Sequence, residues 1–161
     1  MRESYSRATD VAAVVARVVE LHAKTVIFDV EPLAAFWDTD EQTLRHGVAA
    51  VLDRIALAPE VTVVGFATNS RRRLALNSAS NGVRVLYVAA ARKPASVRPY
   101  RDLARPGVVV GDQIATDGVL ARRLGYAFIH YRPTFERIPL GPKLMHQLGR
   151  PLRPLLFRRR A

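Results

Sequence analysis

A chain of 161 residues, 49% of them apolar, can bury one substantial core and has little room for a second. It has no cysteine, which excludes disulfides, thiol nucleophiles and cysteine-held metals. The net charge of +11 is uneven: residues 132–161 carry eight basic side chains against the one acid Glu136, while the preceding stretch sets seventeen against thirteen. Such a basic tail can adhere to anionic lipid, nucleic acid or acidic protein, and charge alone does not choose among them. No apolar run approaches the roughly 20 residues that span a bilayer. Arg2, Glu3 and Arg7 do not make the apolar core of a secretory signal, so a cytoplasmic protein is expected.

The elements follow in chain order. Residues 9–23 have helical spacing, with Val11, Val14, Val15, Val18, Val19 and Leu21 on one face and Thr9 or Asp10 as the cap. The apolar run 25–30 predicts a strand buried on both faces. Residues 41–58 predict a helix with Val48, Val51, Leu52 and Ile55 inward. A second strand is expected over 61–67, then a helix after Ser70 carrying Leu74 and Leu76. A third strand covers 84–88, a short helix lies around 97–104, and a fourth strand covers 107–110. Helix 114–124 ends at Gly125 behind Arg122 and Arg123, and a fifth strand covers 126–131. This alternation predicts an α/β fold: three layers around a doubly wound, mostly parallel five-stranded sheet with right-handed crossovers. The expected domain is 1–133, followed by a basic, proline-containing tail, 134–161, in which 141–149 could form a short helix.

The chemistry concentrates at strand ends. Val108-Val109-Val110-Gly111-Asp112 closes one strand in a tight turn, and Asp117 follows as a helix opens. Open α/β sheets build ligand sites at the carboxyl ends of strands. Two close carboxylates repel unless a cation or proton lies between them, which points to oxygen-held Mg²⁺. A helix-capping Asp with an incidental acid in the first turn is the plainer alternative. Asp29 ends the first strand, Thr68-Asn69-Ser70 closes the second, and Lys93-Pro94 follows the third.

That series of motifs, from residue 25 to residue 133, resembles the haloacid dehalogenase superfamily of aspartate-nucleophile phosphotransferases. With Gln113 and Thr116 inside it, the last motif looks most like the capless subclass IIIA phosphatases related to phosphatidylglycerophosphate phosphatase. The resemblance implies that Asp29 attacks phosphorus and forms an aspartyl-phosphate. Thr68 and Asn69 would hold phosphate oxygens, and Lys93 would neutralise both the nucleophile and the transferring group. The implied metal set is Asp29, the backbone carbonyl at Glu31, Asp112 and Asp117, with Asp112 bound directly and Asp117 standing behind the direct ligands or bridging through water. The first motif departs from the family. Glu31 stands where the family has its acid-base Asp, Leu33 replaces a Thr, and Pro32 restrains the turn between them. Without such companions, each of these residues would read as a strand-end cap or surface turn.

Two functions follow as expectations. One is a Mg²⁺-dependent phosphatase acting on a phosphomonoester, with a phosphatidylglycerophosphate-type headgroup as a candidate. The other is a catalytically impaired binding or scaffolding module. The spacings from Asp29 to Thr68 and from Thr68 to Lys93 leave no room for a cap, so a substrate presented on a large surface fits better than a small enclosed one. Leu144, Met145, Leu148, Leu152, Leu155, Leu156 and Phe157 beside the tail's cations suit a peripheral site on an anionic membrane, or equally packing on the domain or on a second subunit. No DNA-reading motif or aromatic-rich basic sheet supports specific nucleic-acid binding. His22, His46, His130 and His146 have no zinc spacing and read as structural or exposed. Trp37 reads as packing or crevice lining, and Arg71-Arg72-Arg73 as a solvated face that could concentrate anions.

Overall fold

The computed structural model describes residues 5–36, 38–76, 79–80, 82–132, 149 and 151–157. Their elements are β1 (Tyr5–Ala8), α1 (Val11–Glu20), β2 (Thr25–Asp29), α2 (Glu41–Ile55), β3 (Val63–Ala67), β4 (Ala79–Ser80) and β5 (Val83–Val88). A 3₁₀ turn (Arg98–Tyr100), β6 (Gly107–Gly111), a wide π-type turn (Ile114–Gly118), α3 (Val119–Leu124), β7 (Ala127–Tyr131) and a short α4 (Leu152–Leu156) follow.

One sheet runs β1-β7-β6-β2-β3-β5-β4, and every pairing is parallel except β4 with β5. The five expected strands are the inner ones. The expected count of five is therefore corrected by two edge strands. β1 is Tyr-Ser-Arg-Ala and pairs on one side only, so it lacks the apolar run that betrays a central strand. β4 has just two residues.

The strands are continuous apolar runs because both faces are covered. Val26, Phe28, Val64, Phe66, Val108 and Val110 face a core shared with Val14, Val18, Val48, Val51 and Ile55 of α1 and α2. Ile27, Val63, Val109 and Phe128 face the opposite core, with Leu120, Ala121, Leu124 and Tyr100. The alternation of side chains along a strand produces this division and yields three layers. Each fully buried aromatic such as Phe28 or Phe66, whose rings stack at 5.7 Å, contributes roughly 1.5–3 kcal/mol of burial.

α1 is capped by Asp10, whose Oδ1 accepts from the Ala13 N–H at 2.8 Å. Val14 and Val18 carry its buried face, while Val19 lies outside it at 42% exposed. α3 ends on Gly125 in the left-handed region, φ 69°, a conformation that a side chain would oppose. Two expected helices are absent. Residues 71–76 are irregular, although Leu74 is buried, because Arg72 is drawn aside to the carbonyls of Phe36 and Thr39. Near 97–104 only the single turn Arg98–Tyr100 forms, with Pro99 at its start.

Trp37, His146, Leu144, Met145, Leu148 and the expected helix at 141–149, apart from Gly149, lie outside the described residues. The described part of the tail returns to the domain. Phe157 stacks on Phe128 at 5.6 Å, Arg153 lies 4.6 Å over the Tyr5 ring, and Leu152 and Leu156 pack beside α3's core. Packing on the domain thus accounts for these apolar residues, and Leu155 alone among them is well exposed, at 69%. Among the described residues no helix is long and apolar enough to cross a membrane.

The order of connections sets the site. From β2 the chain steps outward to β3 and β5, then crosses back to β6 on β2's other side and continues to β7. The strand order reverses between β2 and β6. Loops leaving the carboxyl ends of those two strands diverge there and open a crevice.

Candidate functional site

Asp29 is the last residue of β2, and Asp112 follows the last residue of β6. Because Phe28 is in register with Val110, the two acids leave the sheet side by side. Asp117 joins them from the wide turn. Carboxylate oxygens of Asp29, Asp112 and Asp117 all lie within 4.8 Å of one another, and all three residues are buried. Gly111 makes this approach possible, since a Cβ there would overlap the Asp117 carboxylate.

Lys93 is the counter-charge. Its Nζ lies 2.7 Å from Asp29 Oδ1 and 2.7 Å from Asp117 Oδ1, with the ammonium buried. The other Asp117 oxygen accepts from the Gln113 N–H at 3.2 Å. Both of its oxygens are therefore engaged within the protein, leaving Asp29 and Asp112 the better placed to ligate directly. Three carboxylates gather here, and Lys93 pairs with two of them. Burial pushes the Asp29 carboxyl well above the usual range, and the charges of Asp117 and Asp112 push the same way against Lys93. For Lys93, burial acts to lower the pKa, but Asp117 and Asp29 together outweigh it and hold the ammonium charged. Such an oxygen-only group could hold a metal ion, and hard oxygen donors suit Mg²⁺, Mn²⁺ or Ca²⁺ rather than zinc.

The loop carrying Lys93 is held from several sides. Asn69 donates from Nδ2 to the Lys93 carbonyl at 3.1 Å and accepts the Lys93 N–H at 2.7 Å. Ala90 and Ala91 donate to the carbonyls of Ser70 and Thr68. Arg123, at the end of α3, donates to the carbonyls of Pro94 and Ala95. Ala90 and Arg92 sit at φ 48° and 52°, left-handed conformations costing roughly 1–3 kcal/mol each, which these bonds sustain.

Glu31 belongs to a second polar group. Its Oε2 accepts from the Thr68 hydroxyl at 2.7 Å, and Arg72 Nη1 stands 3.6 Å from its Oε1. The Ser70 N–H donates to Thr68 Oγ1 at 3.0 Å. The Glu31 carboxylate is thus directed to Thr68 and Arg72 and is not part of the three-acid group. Any share in a metal falls to its backbone carbonyl. Leu33 packs against the α1–α2 core.

All seven residues singled out from the sequence, Asp29, Glu31, Thr68, Asn69, Lys93, Asp112 and Asp117, gather at this end of the sheet, but Asn69 serves as a brace for Lys93. The sequence reading missed others. His130 is buried, accepts or donates at Nδ1 with the Tyr5 hydroxyl at 2.9 Å, and at Nε2 meets the Asp112 carbonyl at 3.0 Å. It steadies the turn that carries Asp112, and only its register opposite Gly111 reveals that. Tyr100 lies buried beside Lys93, Asp29 and Asp117, and burial raises its hydroxyl pKa to about 12. Of the three consecutive arginines, Arg71 and Arg73 are exposed, whereas Arg72 pins the 36–39 loop. Neither a family model, nor a curated protein, nor a solved structure matches the chain.

Proposed function

We propose that the chain is a Mg²⁺-dependent phosphomonoester hydrolase of the haloacid dehalogenase type. The observation that carries this reading is the buried Lys93 ammonium shared by Asp29 and Asp117, with Asp112 beside them at the switch point of a parallel sheet. Asp29, Thr68, Lys93 and the Gly111-Asp112…Asp117 turn have the order and placement that such chemistry needs.

In this reading an Asp29 oxygen attacks phosphorus, the bond to the leaving oxygen breaks, and that oxygen takes a proton. Water then attacks the aspartyl-phosphate, its proton is removed, and the products are phosphate and the restored carboxylate. Lys93 neutralises the nucleophile and the equatorial oxygens, and Thr68 donates a hydrogen bond to one of them. Glu31 is the acid-base side chain by position. Asp29, Asp112 and the carbonyl of residue 31 would hold Mg²⁺ against the phosphoryl group, and Asp117 would fix Lys93 behind them. When bound, the ion supplies Lewis-acid neutralisation of the phosphoryl oxygens.

Only α2 separates β2 from β3, and only β4 separates β3 from β5 among the described residues. With no cap inserted between these strands among the described residues, a phosphate presented on a large substrate is favoured, with a phospholipid headgroup of the phosphatidylglycerophosphate kind as the specific candidate. The basic tail would then meet anionic lipid at the membrane's inner face. Flotation with anionic vesicles tests this: replacing Arg158, Arg159 and Arg160 by Glu abolishes it if the tail binds lipid.

The second reading is a binding or scaffolding module that keeps the fold and metal group without turnover. Glu31's engagement with Thr68 and the packing of the partly buried Leu33 against the core favour it. Hydrolysis of an aryl phosphate with Mg²⁺ separates the two. Loss of the rate in Asp29→Asn supports the enzyme; equal background rates in both proteins eliminate it.

A further inference from the structure

The polar group around Glu31 has the composition of an anion site already filled from within. Thr68, fully buried, gives its hydroxyl proton to Glu31 Oε2. Arg72 faces Oε1 at 3.6 Å, outside hydrogen-bonding range, and Oε1 is buried without a hydrogen bond. The guanidinium is prevented from closing that gap by its bonds to the Phe36 carbonyl at 2.9 Å and to the Thr39 carbonyl at 2.7 Å. Thr68 and Arg72 are two donor groups, and one carboxylate uses only the first of them well.

A tetrahedral oxyanion has more acceptor atoms than a carboxylate and could use both. We infer that Glu31 is an internal competitor for phosphate: its carboxylate holds the Thr68 hydroxyl and faces Arg72 in the resting protein, and it must leave before a phosphomonoester or inorganic phosphate can take those donors. The inference rests on the phosphomonoester reading of the site. The extra methylene of Glu over Asp is what lets the carboxylate reach Thr68. The resting chain therefore binds phosphate with an affinity reduced by the fraction of molecules in which Glu31 is withdrawn.

Inorganic phosphate, titrated calorimetrically into the full chain with Mg²⁺ present, tests this. Glu31→Ala should bind phosphate on the order of tenfold more tightly than wild type, and the gain should vanish in Glu31→Ala combined with Thr68→Val. Glu31→Gln, which keeps the shape and can still accept from Thr68, should give a smaller gain, and it carries the test if the alanine variant does not fold by near-ultraviolet circular dichroism. Equal phosphate affinity in wild type and in the folded variants overturns the inference. In that event, Asp29-dependent hydrolysis of an aryl phosphate would leave the phosphatase reading standing. Absence of phosphate binding in every variant also overturns the inference, and absence of hydrolysis as well would remove both.

Discussion

Asn69 grips the backbone of Lys93 at both ends, donating to its carbonyl and accepting its N–H. The side chain at the end of β3 thereby sets the position of an ammonium that must reach acids leaving β2 and following β6. Asn69→Ala leaves both backbone groups without these partners and should cost about 1–2 kcal/mol in urea unfolding. On the phosphatase reading, kcat should fall while KM changes little, because the lysine remains but is misplaced. Asn69→Asp keeps only the acceptor and should fall between.

Removing the cation is harsher. Lys93→Met leaves Asp29 and Asp117 buried without their ammonium and should cost about 3–5 kcal/mol at neutral pH. The loss should shrink in acid. Asp29's folded pKa is raised, by burial first and then by its acidic neighbours, so the native state binds more protons than the unfolded one between the ordinary value of 3.8 and the raised value. Stability therefore falls as pH rises through that window, more steeply in the variant. Denaturation curves taken at several pH values measure the difference in slope.

Gly111→Ala tests the close approach in the metal-side turn. The added methyl would overlap the Asp117 carboxylate, and that acid cannot retreat without losing Lys93 and the Gln113 N–H. A destabilisation of about 1–3 kcal/mol is expected from overpacking, together with loss of Mg²⁺-dependent stabilisation.

Mg²⁺ itself should raise the melting temperature. At a hundredfold excess over its Kd, a ligand of the native state adds about 2.7 kcal/mol. Asp112→Asn should abolish the shift, because it removes a charge from the three-acid group without changing its size. A shift that survives the substitution would mean that the ion binds elsewhere.

Asp40, the cap of α2 and outside the three-acid group, supplies a pH control. Its carboxylate accepts from the Thr43 N–H at 2.7 Å, and this bond, supported by the Thr43 side chain and the Gln42 N–H, lowers its pKa from 3.8. The sign is opposite to Asp29: the cap contributes fully above the unfolded pKa and is lost as pH falls through the lower folded value. Asp40→Asn caps without titrating, so its stability profile should be flatter than wild type in acid.

The inner sheet was legible because central parallel strands are apolar on both faces, and runs such as Val26-Ile27-Phe28 or Val108-Val109-Val110 carry that signature alone. β1 was not, since an edge strand with Ser6 and Arg7 has no such run. Leu74 and Leu76 suggested a helix by spacing, and Arg72's bonds to a loop more than thirty residues earlier in sequence overrode it. The candidate acids and Lys93 were legible as strand-end punctuation. The bracing of Lys93 by Asn69 and the contact of His130 with Asp112 were not legible, because each acts on a backbone group that no sequence pattern brings near.

Local sequence by itself determined which segments become buried strands and which side chains stand at their carboxyl ends, because both follow from side-chain alternation and turn chemistry over a few residues. Only the tertiary structure decided that Glu31 turns to Thr68 rather than toward Asp29, and that Lys93 spans Asp29 and Asp117. Those outcomes depend on buried charges finding partners 24 to 64 positions away in the chain, and the low-dielectric interior makes the pairing decisive only once the sheet has brought them together.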